Sequence, residues 1–283
     1  MAATLALGAC SSLSDMWGGG DDSQASGVTT APPGGTAPAD DVQPVAQLYN
    51  KGLDELKDGD YRGAAKQFEE VERQHPYSSW ATRATLMAAY SYYQRNAYDD
   101  AINAAQRFIT LHPGHKDAAY AYYLIALSYY EQIADVRRDQ TATEKALSSL
   151  EEVVRRFPDS PYAKDAKAKA VLARDHLAGK QMEVGRYYLN KRAYVAAINR
   201  FQTVVTKYQT TSHVPEALYR LVEAYMALGV TSEAQTAAAV LGHNYPNSQW
   251  YDDAFALLKS DGLEPQKNEE SWISQALSSV NPF

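Results

Sequence analysis

Residues 86–113 read LMAAYSYYQRNAYDDAINAAQRFITLHP and hold two helical patterns on either side of a short polar turn. In the first pattern Ala89 is followed three positions later by Tyr92, and in the second Ala101 is followed seven positions later by Phe108. Residues at these spacings share one face of a helix. Because a small residue lets two helix axes approach closely while a large one fills the space beside it, the two patterns predict a packed helix pair, which a proline then ends.

The same pattern returns along most of the chain with a period of 37 residues. The small positions of the first helices are Gly52, Ala89, Ala126, Gly185 and Val222, and those of the second helices are Ala64, Ala101, Ala146, Ala197 and Ala234. The larger residues beside them are Phe68, Val71, Phe108, Leu150, Val153, Phe201, Val204 and Leu241, and Pro76, Pro113, Pro158 and Pro246 follow four of the second helices. Five copies of this pattern are typical of tetratricopeptide repeats. The sequence therefore predicts an all-α solenoid of five helix pairs.

Two insertions interrupt the period. Eight additional residues separate the small positions of the third pair, which predicts an enlarged loop around the polar stretch 135–142. Fourteen additional residues precede Gly185 and are rich in Ala, Lys and Leu, which predicts one long helix, roughly Tyr162 to Lys191. We therefore expect repeats 1–3 in residues 44–158 and repeats 4 and 5 after them.

The end of the repeat array has two features of its own. Gln209 stands after the fourth pair, where the other pairs have proline. Beyond the fifth pair, Trp250 to Lys259 is amphipathic and predicts a capping helix, because the open end of a solenoid needs a closing face. We place repeats 4 and 5 with this cap in residues 159–260, followed by a tail in residues 261–283 for which the pattern predicts no role.

The first 43 residues differ in composition from the repeats. The tetrapeptide Leu7-Gly8-Ala9-Cys10 matches a lipoprotein cleavage site, which predicts a signal peptide in residues 1–9 and lipidation of Cys10. Because a signal peptide begins with basic residues and the first in this chain is Lys51, we expect the signal to start upstream of residue 1. The rest, up to residue 43, is Gly-, Pro-, Ser- and Thr-rich and predicts a disordered linker that reaches about 110 Å when stretched. Ser11 and Ser12 follow the cysteine where an aspartate is absent, which resembles the sorting signal of lipoproteins that are sent to the outer membrane.

Composition argues against nucleic-acid binding and against catalysis. The formal net charge is −7, and basic residues do not cluster with aromatic ones. His112 and His115 flank a turn without a third ligand nearby, so we interpret them as turn residues rather than a metal site. We find no glycine-rich phosphate loop in the repeats and no catalytic group of residues. The sequence predicts a protein that is not an enzyme and that needs no cofactor.

Tyrosine is unusually frequent, with 21 of 283 residues. The residues expected on the inner surface of the first three repeats are Tyr49, Leu53, Arg83, Leu86, Tyr90, Tyr93, Gln94, Tyr120, Tyr123, Leu127 and Tyr130. Tyrosine gives a large contact area at low entropy cost and keeps a polar tip, so this surface suits an extended or hairpin peptide. Packing between the repeats is an equally good explanation, and the sequence leaves both open.

Three phrases carry a resemblance to a known family. LMAAYSYY at residues 86–93, RFITLHP at 107–113 and AYVAAINRF at 193–201, together with the lipidation site and the five repeats, resemble the BamD family. These are lipoproteins of the machinery that assembles β-barrel proteins in the outer membrane. The resemblance covers about Val45 to Ser260 and leaves out the leader and the tail.

The resemblance implies a scaffold on the periplasmic face of the outer membrane. In this family the C-terminal repeats bind the last POTRA domain of the barrel protein BamA. The N-terminal repeats bind unfolded outer-membrane proteins and, in some bacteria, the accessory lipoprotein BamC. Arg200 matches a family position linked to the BamA contact. By the residues alone, Arg200 is an ordinary arginine of a second helix.

A second family shares the Tyr-Pro-x-Ser sequence found at residues 245–248. Its members are periplasmic repeat proteins that coordinate cell division with the Tol-Pal system, and they are similar to soluble trimers with an N-terminal coiled coil. Residues 11–43 contain no heptads, and Cys10 predicts a lipid anchor. We therefore favour the assembly lipoproteins and keep the cell-division coordinator as the alternative.

Overall fold

The computed structural model describes residues 44–278, and these residues form twelve α-helices and no β-strand. The helices are α1 (Val45–Lys57), α2 (Tyr61–Gln74), α3 (Ser79–Gln94), α4 (Tyr98–Leu111), α5 (Ala118–Tyr130), α6 (Thr141–Arg156), α7 (Ala163–Asn190), α8 (Tyr194–Lys207), α9 (Val214–Ala227), α10 (Thr231–Asn244), α11 (Gln249–Ser260) and α12 (Trp272–Ser278). The predicted signal peptide, Cys10 and the linker lie outside the described residues, as do residues 279–283.

The helices pack in the order in which they follow one another along the chain. Helices α1 to α6 form three pairs, the second half of α7 pairs with α8, and α9 pairs with α10. The first helices of successive pairs also contact one another, from α1 to α3 and onward to α11. This inner row is what a solenoid of helix pairs requires. The prediction of an all-α repeat fold with five pairs and a cap is confirmed.

Burial confirms the 37-residue register. All five alanines predicted at the second-helix crossings have no exposed surface. At Gly52, an added Cβ would lie only 2.9 Å from Cε1 of Phe68, and at Gly185 it would overlap the ring of Phe201. Two helices therefore meet at these glycines with only a ring between their backbones. A larger residue would force them apart.

The turns within the pairs are short, with one exception. Four of them have three residues each and contain one residue in the left-handed region, such as Gly59 with φ 79° and Asn96 with φ 62°. In the third pair the connection is the loop 131–140, as the insertion predicts. Residues 141 and 142 were expected in this loop and instead begin α6, so the predicted bounds are wrong there. The carboxylate of Asp139 accepts a hydrogen bond from the Thr141 N–H at 3.0 Å, an Asx turn just before the helix.

The C-terminal half agrees with the predicted long helix and cap. Helix α7 runs unbroken for 28 residues, and its two halves serve different repeats, since the first packs against α6 and the second against α8. Helix α11 closes the array where the cap was predicted. The tail then folds back, and its Ile273 is completely buried in the same hydrophobic core as repeats 4 and 5.

Candidate functional site

A group of tyrosines from α3, α5 and the start of α7 lines one surface of the N-terminal half. We call it the tyrosine groove and define it by Tyr90, Tyr93, Tyr123, Tyr130 and Tyr162. All five side chains are partly exposed. The rings of Tyr123 and Tyr162 stack with their centroids 5.1 Å apart and their planes 21° from parallel. The groove therefore presents aromatic faces and edges that are already ordered.

Acidic and basic residues hold the tyrosine hydroxyl groups in place. The Tyr123 hydroxyl donates to Asp165 Oδ2 at 2.5 Å, and Lys169 pairs with the same oxygen at 2.8 Å. The Lys169 ammonium group also lies 5.7 Å from the centre of the Tyr130 ring. Asp165 and Lys169 are four residues apart on α7, so one face of this helix forms the wall of the groove.

Burial and a neighbouring carboxylate raise the pKa values of two groove tyrosines, Tyr93 and Tyr123. Burial, followed by the hydrogen bond to Asp165, raises the pKa of Tyr123 far above its ordinary value. Burial and the nearby Glu131 carboxylate raise the pKa of Tyr93 in the same way, and the Tyr93 hydroxyl donates to Glu131 at 3.4 Å. The hydroxyl groups of Tyr93 and Tyr123 are therefore neutral at any physiological pH.

Not all residues predicted for this surface reach it. Tyr49 and Leu86 are 5% and 1% exposed, so their expected place on an open groove needs correction. The Tyr49 ring is covered by Phe68 and Trp80, at centroid distances of 5.4 Å and 5.0 Å. Tyr120 is buried as well. Of the remaining predicted residues, Arg83 is exposed and Leu53, Gln94 and Leu127 are partly exposed.

Three members of the site were missed by the sequence interpretation: Tyr162, Asp165 and Lys169. They precede or begin the long helix, which no other repeat has. The spacing of Asp165 and Lys169, an acidic residue four positions before a basic one, was the signal in the sequence. It indicates a helix face that carries charge, but it does not say which neighbour that face meets.

A cleft of about 450 Å³ continues the groove along α7. Its lining residues come from the end of α5, the loop 131–140 and α7: Tyr130, Glu131, Ile133, Leu172, Ala173, Asp175 and His176. Leu172 is 59% exposed, which is high for a leucine in a helix interior. The cleft gives an apolar side chain a place beside the tyrosines.

Arg200 lies on a different surface, on α8 of repeat 4. It is exposed and donates from Nη1 to Oε1 of Gln181 on α7 at 3.3 Å, and it makes no ion pair with the residues that the structure describes. Tyr187 and Val195 on the same two helices are 58% and 64% exposed. An exposed guanidinium group without an ion-pair partner among the described residues is suited to bind a carboxylate of another protein.

The inner row of the C-terminal half is lined by ion pairs, with Tyr219 and Trp250 packed among them. Arg186 donates from Nη1 to both carboxylate oxygens of Glu216 at 3.0 Å. Arg220 shares the same carboxylate at 3.4 Å, pairs with Glu223 at 2.6 Å and lies over the Trp250 ring. Each guanidinium group is therefore compensated by a carboxylate within the chain.

Residues 44–278 contain neither a membrane-spanning helix nor a cluster of metal-ligand side chains. No helix in residues 44–278 combines the length and apolar character needed to cross a lipid bilayer. Nor does the described part of the chain group three His, Cys, Asp or Glu side chains as metal ligands would be. His112 and His115 pack against Phe108, with ring centroids 5.6 Å and 5.4 Å away.

Comparison with known proteins gives similarities over most of the chain. A family model described as YfiO, outer membrane lipoprotein, matches residues 41–241. A protein of Caulobacter vibrioides named outer membrane protein assembly factor BamD is 52% identical over 223 residues, covering 79% of this chain and 73% of the relative. The protein of the same name from Rickettsia prowazekii is 49% identical, covering 78% and 88%. Among solved structures, the TPR domain of P58(IPK) covers 83% of this chain and 64% of its own, at 15% identity and a TM-score of 0.40.

Proposed function

Because this chain belongs to the YfiO family of outer membrane lipoproteins, which includes the BamD assembly factors, we propose that it assembles proteins into the outer membrane as a non-enzymatic scaffold. Relatives of that name over more than three quarters of the chain do not favour the alternative of a cell-division coordinator. On this proposal the protein acts at the periplasmic face of the outer membrane and has two binding surfaces, one in each half of the solenoid.

The tyrosine groove carries the first part of the proposal. It binds unfolded segments of outer-membrane proteins on their way to insertion. Such segments alternate apolar and polar side chains, since one face of each barrel strand meets lipid. The ordered tyrosines offer ring surface to the apolar side chains and neutral hydroxyl groups to the peptide backbone, and the cleft beside Leu172 accepts a larger side chain.

Arg200 carries the second part. It contacts a carboxylate on the periplasmic POTRA region of BamA, and other lipoproteins of the machinery bind elsewhere on the solenoid. Support comes from the resemblance of residues 193–201 to the family and from the absence of an ion-pair partner for Arg200 among residues 44–278. An interface that supplies the missing carboxylate would gain a charge-assisted hydrogen bond.

Cys10 attaches the scaffold to the membrane through lipid, and residues 11–43 serve as the tether. The proposal rests on the cleavage-site sequence and on the family description. Stable anchoring needs more than one short acyl chain, so we expect a multiply acylated cysteine. Mass spectrometry of protein extracted from membranes, expressed with a complete signal peptide, tests this; an unmodified Cys10 contradicts it.

A double substitution tests the groove. Tyr90→Ala with Tyr123→Ala should weaken binding of a labelled unfolded barrel-protein segment by about 1–3 kcal/mol, about 5- to 150-fold, through lost ring contact. Tyr77→Ala is the matched control, because Tyr77 is fully exposed and lies outside the groove. Fluorescence anisotropy gives the affinities once circular dichroism shows that each variant is folded. If the double variant binds like the control, the groove does not hold substrate.

A further inference from the structure

The end of the chain crosses repeats 4 and 5 as a peptide ligand would. We call residues 264–276 the strap; it is irregular up to residue 271 and then forms the start of α12. Helix α12 packs against α10 and α8, the second helices of repeats 5 and 4. These helices belong to neither the tyrosine groove nor the inner row of charges. The strap therefore occupies a separate surface, which we call the strap groove.

The repeats hold the strap largely by its main chain. The side-chain amide of Gln235 donates to the main-chain carbonyl of Glu264 at 2.8 Å. The main-chain carbonyl of Gln235 accepts from the Gln266 N–H at 3.3 Å. At the far end, the Gln209 amide donates to the Ala276 carbonyl at 2.8 Å. Hydrogen bonds to the main chain bind a peptide whatever its side chains are. The two glutamines clamp the strap at both ends.

Three side chains of the strap supply specificity between the clamps. The Trp272 indole N–H donates to the Tyr225 hydroxyl at 3.1 Å, and Ser271 donates to the Glu233 carboxylate at 2.7 Å. Ile273 is fully buried in the hydrophobic core of repeats 4 and 5. Main-chain clamps combined with pockets for an adjacent aromatic and aliphatic residue are the usual composition of a peptide-binding groove.

One of these clamps stands at a position where the repeat pattern changes, because the position two residues after the second helix holds a glutamine in repeat 4 and a proline in the other repeats. Gln209 takes the place of a proline, yet the residue before it, Tyr208, has φ −124° and ψ 41°. The residues before the four prolines have φ from −131° to −136° and ψ from 55° to 57°. The backbone of repeat 4 is thus close to one that carries proline in the other repeats. What glutamine adds at this position is an amide that reaches the strap.

We propose that the strap groove is a second peptide-binding site, filled in the resting protein by the chain's own strap. Its partner is a segment with an extended stretch followed by a bulky aromatic–aliphatic pair, the chemistry that the strap displays at Trp272 and Ile273. Such a segment binds when the strap leaves, and the strap limits access until then. This inference does not depend on the proposed role of the tyrosine groove or of Arg200.

Binding of the strap sequence in trans tests the proposal on the full chain. The probe is a labelled peptide of residues 264–278, and the variant Trp272→Ala with Ile273→Asp frees the groove. The peptide should bind this variant at least about tenfold more tightly than the wild-type chain, because the wild-type groove is occupied. A peptide with the same two substitutions is the matched control and should not bind. Equal, undetectable binding to both folded proteins would overturn the proposal.

Gln209→Pro provides a test that leaves the apolar contacts intact. In the opened variant it should weaken peptide binding by about threefold or more, through loss of one hydrogen bond to the main chain. The melting temperature should stay close to that of the parent, since the other repeats carry proline here. Unchanged peptide affinity would remove Gln209 from the groove and contradict the clamp.

Hydrogen exchange on the wild-type chain applies even where the opened variant does not fold. If the strap leaves without unfolding of the repeats, its amides should exchange at least about tenfold faster than those of α9. Equal protection would mean that the strap is a fixed part of the core, and the proposal would fail. Sedimentation at high concentration tests whether the strap groove binds the strap of a second copy of the chain. A dimer formed by exchange of straps would identify that second copy, instead of a different partner segment, as the occupant.

Discussion

The inner rows of the two halves differ although they share one repeat register. Tyr120 in repeat 3 and Glu216 in repeat 5 both stand six residues before the small position of their helix, and Tyr90 and Glu223 both stand one residue after it. In the N-terminal half Tyr90 belongs to the tyrosine groove and Tyr120 is buried against Tyr162, whereas in the C-terminal half both glutamates form ion pairs. The core differs too, because one continuous hydrophobic cluster runs from Ala178 to Ile273, whereas the N-terminal half divides into three.

This difference shows how one backbone period gives two kinds of surface. Neutral tyrosines whose rings are partly exposed can meet many sequences, because every peptide has apolar and hydrogen-bonding groups. Carboxylates and guanidinium groups that already pair with each other gain little from a ligand, since binding would first have to break the pairs. The exposed tyrosines of the N-terminal half are therefore suited to contact with varied peptides, whereas the paired charges of the C-terminal inner row are not.

The strongest test separates the two halves by function. Arg200→Glu should weaken binding of the BamA periplasmic region by about 2 kcal/mol or more, about 30-fold, because it places like charges at the interface. Capture of unfolded segments by the tyrosine groove should not change. Lys207→Glu is the control for charge reversal, since Lys207 is also exposed on α8. Surface plasmon resonance measures both affinities; undiminished BamA binding by the Arg200 variant would refute the proposed contact.

The next test examines whether the two halves share one packing register. Ala101→Leu and Ala197→Leu, one in each half, should each lower the free energy of unfolding by about 1–3 kcal/mol, because both alanines sit in fully buried helix crossings. Ala142→Leu, in the partly exposed first turn of α6, should change it by less than about 0.5 kcal/mol. Urea denaturation followed by circular dichroism gives the values. Similar losses at all three positions would contradict the register.

A smaller effect should distinguish the ion pairs from the groove. Glu216→Gln removes the charge shared by Arg186 and Arg220 and should cost about 1 kcal/mol of stability. Glu131→Gln, at the edge of the groove, loses only an exposed hydrogen bond of 3.4 Å and should be nearly neutral. The same urea measurements compare the two variants. A greater loss at Glu131 than at Glu216 would contradict the stabilising role of the shared ion pairs.

The sequence predicted the helices well because the residues that pack at each helix crossing recur with the 37-residue period. In repeats 1 and 4 a glycine of the first helix meets a phenylalanine sixteen positions later, as Gly185 meets Phe201, so the spacing alone predicts this contact. Tyr49 was misplaced for a local reason. Adjacent positions on a helix differ by about 100° in direction, and at Tyr49 the rings of Phe68 and Trp80 cover the side chain.

The features that the sequence did not predict are those outside the period. The walls of the tyrosine groove come from the inserted half of α7, whose orientation follows from its contacts with α6. The strap contains no repeat pattern, so its position depends on complementarity with α8 and α10 and not on spacing. The sequence showed that Gln209 replaces the proline that follows the other second helices. Only the structure shows that its side chain donates a hydrogen bond to the Ala276 carbonyl.

Helix α7 also fixes the distance between the tyrosine groove and the surface around Arg200. Asp165, in the wall of the groove, and Gln181, the neighbour of Arg200, stand on the same unbroken helix, sixteen residues apart. At the rise of an α-helix this is about 24 Å, a span that an extended peptide crosses with about seven residues. If the groove binds a segment and Arg200 binds a protein, as proposed, the unbroken helix would hold the two bound molecules about this distance apart.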